Sequence, residues 1–309
     1  MSTLVIVNPN ASAGRTGRRW SSIEAEVRRR LGAFEVVLTR APGDAIQIAR
    51  QAAIVGVSRL VVMGGDGTIN EAVNGLFDQR RPINSKTSLG LLPSGTGGDF
   101  RKSLGIGAAL SPALDVLERN RIRTIDLGYL SFEGGGGLTQ ARYFCNIASF
   151  GMSGQIMLQV NGPSLLKRVN GKLAFYWATV RALLTWKNAP VSLRIFGQEP
   201  QVHELQVNTV HICNGRFSGG GMLFAPDADL DDGLFDVVVM GDFSIRHLLK
   251  SFSLLYSGAH IDHPLVKVFR TSKVEARGDT TFCLEVDGET PGQLPATFEV
   301  IPGALPMIC

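Results

Sequence analysis

The sequence predicts two parts of different texture: an α/β half on a parallel sheet (residues 1–125) and an antiparallel β-sandwich (residues 126–309). Three observations predict it. Continuous apolar runs alternate with helical patterns as far as the loop LPSGTGGDF. Glycine-rich loops follow two of those runs directly. From Asp126 onward, short strand-like runs separated by glycine and asparagine take over.

TLVIV (3–7) is apolar throughout, as expected of a strand buried on both faces. The loop NPNASAGRTG follows, then a basic helix over about 18–31. FEVVLT (34–39) reads as the second strand, Asp44 as the cap of a helix through AIQIARQAAIVG, and SRLVVM (58–63) as the third strand. After GGDGT, Ile69, Ala72, Val73, Leu76 and Phe77 share one helical face. SLGLL (88–92) is the fourth strand and runs into PSGTGGDF. Ligands of such sheets bind beyond the carboxyl ends of the strands, where both glycine loops fall, so the first half is a nucleotide-binding-type domain. In the second half TIDLGYLSF, RYFCNIASF, VSLRIF, VNTVHICN, LFDVVVM and TFCLEVDG read as strands. Helices are expected at about 164–186 and 244–256 and a hairpin tip at GGGG (134–137), with the last residues open to a return to the first domain.

Hydrophobic residues at 44% and charged ones at 19% place the chain among globular rather than disordered proteins. The formal net charge of +4 fits an anionic substrate or membrane surface without demanding either. Aromatics and basic residues are not interleaved, so no nucleic-acid partner is expected. Cys145, Cys213, Cys283 and Cys309 form no CxxC pair, and the five histidines fall into no metal spacing. MSTLVIVNP lacks the regions of a signal peptide, and no apolar run reaches the length of a membrane span. The expectation is a cytoplasmic protein that meets lipid from the surface, at the inner face of the membrane.

The chemical signal lies in VVMGGDGTINEAVNGL (61–76). Gly64, Gly65 and Gly67 let the backbone approach a phosphate chain, while Thr68 and the helix N-terminus offer a hydroxyl and N–H groups. Asp66 among them would repel phosphate unless a divalent cation or another positive group answers it, which points to Mg2+–ATP. LPSGTGGDF repeats the pattern. One such loop is explained by an ordinary βα turn; two in one sheet favour a polyphosphate cradle. DADLDDG, with three aspartates in four residues, suits a hard cation or a solvated acidic hairpin equally. EVDGET alone reads as a hairpin turn.

NPNASAG, GGDGTINE and LPSGTGGDF, in this order and spacing, resemble the catalytic domain of the diacylglycerol kinase family, which also includes sphingosine and ceramide kinases and bacterial soluble lipid kinases. The likeness continues through GGGMLFAPDADLDDGLFDV (219–237) and LEVDGE (284–289). It implies that Asn8 and Pro9 open a phosphate loop and that Thr39 contacts the nucleotide. Gly64, Gly65, Asp66, Gly67, Thr68, Asn70 and Glu71 would form the main nucleotide loop, with Gly95 and Thr96 contributing from the second. It further implies a metal held by the Asp232 carboxylate and the carbonyls of Asp229 and Leu234. Asp287 matches the family's general base, with Glu289 as the close competitor for that role or for metal contact, and Asp66 completes the catalytic set. Gly98 departs from the pattern by standing where the family has asparagine, and FRK stands for FAR.

The activity expected is transfer of the γ-phosphoryl group of ATP to a lipid hydroxyl, first of all diacylglycerol, with Mg2+. The alternatives are a sphingoid-base or ceramide kinase, an NAD kinase, and an inactive nucleotide-binding regulator. The expected partners are ATP, a membrane lipid and an anionic membrane surface; a homodimer is left open. Over 164–186, Leu173, Tyr176, Trp177, Val180, Leu183 and Leu184 form an apolar stripe flanked by Lys167, Arg168, Lys172, Arg181 and Lys187. Most of the stripe is expected on the sandwich core, with the cationic rim and Trp186 facing lipid.

Overall fold

A computed structural model describes residues 2–94, 98–162, 171–278 and 282–309, with the backbone alone at 171–175 and 248–250. The first half runs β1 (Thr3–Val7), α1 (Arg15–Leu31), β2 (Glu35–Leu38), α2 (Asp44–Ile54), β3 (Arg59–Gly64) and α3 (Asp66–Leu76). Then come β4 (Phe77–Asp78), β5 (Arg81–Pro82), β6 (Ser88–Pro93), α4 (Asp99–Ser103) and α5 (Leu110–Arg119). Strands order as β2-β1-β3-β6, all parallel. β1 and β3 are buried along their whole length, which is why both read as unbroken apolar runs. Ile69, Ala72, Val73 and Leu76 bury the inner face of α3, as their spacing requires.

The second half comprises β7 (Ile122–Glu133), β8 (Thr139–Phe144), β9 (Ile147–Gly151), α6 (Met152–Asn161), α7 (Gly171–Thr185), β10 (Ala189–Ile195) and β11 (Gln201–Val207). It continues with β12 (Thr209–Cys213), β13 (Phe217–Ser218), β14 (Met222–Leu223), β15 (Phe235–Met240), α8 (Ile245–Ser251) and α9 (Leu254–Ser257). It ends with β16 (Val266–Thr271), β17 (Lys273–Gly278), β18 (Leu284–Val286) and β19 (Ala296–Ile308). One antiparallel sheet orders as β16-β15-β12-β9-β18. It faces β11-β10-β17-β19 with β7 and β8 across a core that includes Phe144, Phe150, Phe235, Phe282 and Phe298.

β19 stitches the halves together. One edge pairs with β7 throughout, from Ala296↔Phe132 to Ile308↔Ile122, across an irregularity between Ile301 and Leu305. The other edge pairs first with β17 and then, in parallel, with β6 at Met307↔Leu89. The parallel sheet and one sandwich layer are therefore one continuous ladder, and β7 runs through the position where the texture of the sequence changes.

Three local expectations change. RYFCNIASF breaks between Phe144 and Ile147 into β8 and β9, which belong to different sheets. Asp44 does not cap α2: Gly43 is the cap residue, and the Asp44 carboxylate accepts the backbone N–H groups of Arg40 and Ala41. In α7 the face packed on α6 is made of the small residues Ala178 and Ala182, set against Ile156. Tyr176, Trp177 and Leu184 point outward instead of into the core. Trp186 is the reverse case, packed edge-on against Phe282 at 5.8 Å in the sandwich core. Lys167 and Arg168 lie outside the described residues, and so do the side chains of Lys172 and Leu173. Arg181 and Lys187 are exposed.

Asp126 sits where β7, the acidic turn and β19 meet. Its buried carboxylate accepts Gly233 N–H and Gly303 N–H, each at 2.7 Å, and its own N–H donates to Leu230. Asp126→Ala removes the acceptor of two backbone donors, Gly233 N–H half-buried and Gly303 N–H near solvent, which should cost about 1–2 kcal/mol of stability in urea unfolding.

Candidate active site

The carboxyl ends of β1, β3 and β6 open into a cleft of ≈ 470 Å3. Gly64 makes the β3–α3 turn feasible, because a Cβ there would lie 2.6 Å from the Thr68 side chain. That space lets Thr68 Oγ1 accept from Asn8 Nδ2 at 2.9 Å, joining the first loop to the glycine loop. Asn8, Thr39, Gly65, Asp66, Gly67, Thr68, Glu71 and Glu289 all line the cleft. Asn10, Ser12 and Ser94 line it too and were not singled out from the sequence, although Ser94 lies within the second glycine loop.

No lysine or arginine lines the cleft among the described residues, whereas three carboxylates do. Each is met by backbone or sits at a turn. Asp66 Oδ2 accepts the N–H groups of Gly98 at 3.0 Å and Asp99 at 3.1 Å. The Asp66 side chain thus ties the start of α3 to the start of α4. Its Oδ1 is buried with no partner among the described residues, and burial raises its pKa against the opposing pull of those N–H groups. Glu71 accepts the N–H groups of Gly43 at 2.9 Å and Ala45 at 3.2 Å, so it caps α2 from α3, the role expected of Asp44 between them.

Asp287 and Gly288 both have positive φ, +47° and +94°, and Val286 and Glu289 exchange backbone hydrogen bonds at 2.8 Å around them. That is the two-residue type I′ hairpin that Asp-Gly favours. The Asp287 carboxylate turns away from the cleft into the protein. Oδ2 accepts Asn70 Nδ2 and Cys145 N–H, each at 2.9 Å, with the Cys145 thiol at 3.4 Å. Oδ1 accepts Asn146 N–H at 3.2 Å and Ile147 N–H at 3.1 Å. Capture of these successive N–H groups is what breaks RYFCNIASF into two strands. Burial raises the Asp287 pKa, and the donors oppose that rise. Glu289, two residues on, is exposed on the cleft wall, where a Cβ on Gly67 would lie 3.4 Å from its Oε1.

Other residues expected at the site lie elsewhere. Pro9 and Gly64 are not among the residues lining the cleft; Asn70 is buried and donates to the Tyr143 carbonyl as well as to Asp287. Gly95 and Thr96 lie outside the described residues. Gly98 has φ +76°, and Arg101 lies over the position of its missing Cβ at 2.8 Å, so the displaced arginine occupies the space beside it. Asp99 accepts Gly220 N–H at 2.8 Å and pairs with Lys102 at 3.0 Å, linking α4 to the β13–β14 hairpin.

Asp229, Asp232 and Leu234 do not line the cleft. Arg123 binds Asp229 and Asp231, each at 2.6 Å. Asp232 pairs with Arg270 through one oxygen and accepts Leu234 N–H at 2.9 Å through the other. Among the described residues no group of three acidic, histidine or cysteine side chains is arranged to hold a metal ion. The turn as folded is held by arginines from both sides, Arg123 of β7 and Arg270 of β16.

A family profile described as the diacylglycerol kinase catalytic domain matches residues 2–130, and one described as the YegS C-terminal NAD kinase beta sandwich-like domain matches residues 146–309. The chain is 31% identical over 261 residues to a diacylglycerol kinase of Bacillus subtilis (strain 168), covering 84% of this chain and 80% of that protein. It is 29% identical over 294 residues to a diacylglycerol kinase of Staphylococcus haemolyticus, covering 95% and 84%. A crystal structure of a diacylglycerol kinase from Bacillus anthracis strain Sterne superposes with TM-score 0.72 at 22% identity, covering 99% of this chain and 96% of that one, and so shares the fold. The match in sequence along nearly the whole chain, on an α/β half joined to a β-sandwich, identifies the chain as a member of the diacylglycerol kinase family of lipid kinases.

Proposed function

We propose that this protein transfers the γ-phosphoryl group of ATP to the hydroxyl of a membrane lipid, diacylglycerol first of all, giving phosphatidic acid. The observation that carries the reading is the cleft itself. Its floor is the N-terminus of α3 with the bare backbone of Gly65 and Gly67, its wall bears Glu289, and no lysine or arginine lines it among the described residues. A triphosphate fits such a surface only with N–H donors and a divalent cation. Asp66, whose Oδ1 is buried with no partner among the described residues, would hold Mg2+, which supplies charge neutralisation at the phosphates.

The chain's own residues account for the remaining steps. Asn8, Thr68 and the first turn of α3 orient the phosphates, and Thr39, Ala41 and Pro42 border the side from which the nucleoside enters. Glu289 orients the lipid hydroxyl and takes its proton as the new P–O bond forms. Asp287, whose oxygens are already met by four nitrogen donors, serves as the strut that aims the turn. Lipid reaches the cleft along α6 and α7, where Leu158, Tyr176, Trp177 and Leu184 are exposed and Arg181 and Lys187 supply positive charge. Among the described residues no helix is long and apolar enough to cross a membrane, consistent with contact made from the surface.

Labelled ATP offered with diacylglycerol, ceramide, sphingosine and NAD tests the reading directly: phosphate on diacylglycerol supports it, and phosphate on another acceptor alone overturns it. Asp66→Asn keeps an acceptor for Gly98 and Asp99 but removes the charge, and should lower kcat about 100- to 1,000-fold at an unchanged melting temperature. Glu289→Gln should lower kcat at least about 100-fold and leave stability intact. Asp287→Asn should lose both activity and about 2–4 kcal/mol of stability, because an amide presents N–H to N–H donors. Equal stability of these last two variants would reverse the division of roles. Replacing Tyr176 and Trp177 together by serine should weaken binding to anionic vesicles about 10-fold, measured by co-sedimentation, with turnover of a short-chain soluble diacylglycerol unchanged.

A further inference from the structure

Glu285 is buried in the middle of β18 between Leu284 and Val286, which face the sandwich core. Strand alternation turns it to the opposite side, toward α6. Among the described residues its hydrogen-bond partners are a hydroxyl and a backbone N–H, not a lysine or arginine. A carboxyl buried without a cation is costly, so what it holds is informative. Its Oε1 accepts Gly288 N–H at 2.7 Å, and its Oε2 pairs with the Ser149 hydroxyl on the neighbouring strand β9. Ser149 Oγ also accepts Ser153 Oγ–H from the first turn of α6 at 2.8 Å. At the far end of α6, Asn161 Nδ2 donates to the Gly288 carbonyl at 2.9 Å.

Gly288 is therefore held at both of its peptide groups, its N–H by Glu285 and its carbonyl by Asn161 of α6. In a type I′ turn that central N–H normally faces water, so Glu285 is an added constraint on the tilt of the turn. We propose that Glu285 is a positioning residue: through the Gly288 peptide it sets the direction in which Glu289 enters the cleft, and through Ser149 and Ser153 it couples that direction to α6. This rests on the kinase reading only for its effect on turnover.

Several groups face the Glu285 carboxyl. They are Asp287 and Glu289 on its own turn, Ser149 on β9, Ser153 on α6, and His211 and Cys213 on β12, where His211 is cross-strand from Ser149. None is positively charged at neutral pH, since burial lowers the His211 pKa to about 3. Burial raises the Glu285 pKa to about 7, with Asp287 and Glu289 adding to the rise. The folded state holds a proton there that the unfolded chain releases. Stability from this group is present at low pH and is lost as pH rises from the ordinary glutamate range to about 7.

The experiment compares wild type, Glu285→Gln and Glu285→Leu. Gln reproduces the protonated state, with its carbonyl toward Gly288 and its amide toward Ser149; Leu removes both contacts. Relative to Glu285→Gln, the wild-type melting temperature should fall as pH rises from about 5 to about 7.5 and then stay parallel. Superimposable curves would overturn the buried, cation-free carboxyl. Hydrogen exchange at Gly288 should quicken at least about 10-fold in Glu285→Leu and be retained in Glu285→Gln. With diacylglycerol, Glu285→Leu should lower kcat about 30-fold with KM for ATP within about twofold, and Glu285→Gln should recover most of the loss. Unchanged exchange and kcat in Glu285→Leu would sink the positioning role. If Glu285→Leu does not fold, Glu285→Gln decides, by retaining Gly288 protection or losing it. Absence of turnover in the wild type would defeat the kinase reading alone, because the melting and exchange results stand without it.

Discussion

The Asp287 carboxylate is the contact on which the rest of this architecture depends. Its two oxygens gather donors from helix α3 through Asn70 and from the crossover between the sandwich sheets through Cys145, Asn146 and Ile147. Its own N–H donates to Ile147 O at 3.0 Å, so the hairpin carrying Glu289 is locked to that crossover from both directions. A buried carboxylate is tolerable only when its lone pairs are met, and here meeting them forces three segments far apart in sequence into one place. Helix α3 and the DGE turn cannot shift independently while that arrangement holds.

The same economy of charge runs through the cleft. Asp66 is answered by the start of α4 and Glu71 by the start of α2, both through backbone N–H groups and not by lysine or arginine. These negative charges therefore fix the geometry of the loops, and among the described residues no lysine or arginine lines the cleft beside them. The acidic turn at Asp229–Asp232 follows the opposite pattern. Its carboxylates lie toward solvent and draw guanidinium groups from Arg123 and Arg270.

Helices α6 and α7 join the turn to the outer surface. They pack through small residues, Ala178 and Ala182, which brings the two helices close and leaves the large apolar side chains facing out. An amphipathic pattern gives the period of a helix but not which face is buried when small residues share the helix with large ones, because close approach can prefer alanine to leucine. This is why the stripe is legible as a stripe and yet Tyr176, Trp177 and Leu184 lie outside while Val180 and Leu183 are half-buried. It is also why Trp186, at the end of the helix, is drawn into the core.

The sequence by itself determined the fold class, the parallel strands with their loops, and the four motifs that meet at the cleft. Those rest on local physics: apolar runs where both faces are covered, glycine where backbone must pass close, Asp-Gly where two positive φ values are needed. Tertiary structure alone decided the long-range partners. Whether Asp232 meets a cation or an arginine depends on β16 delivering Arg270. Whether Asp287 or Glu289 faces the cleft depends on N–H groups at 145–147 that carry no sequence signature, since every residue but proline offers the same donor. The return of β19 to pair with β7, β17 and β6 likewise follows from sheet edges left open by the fold, a property of the assembled ladder and not of any segment within it.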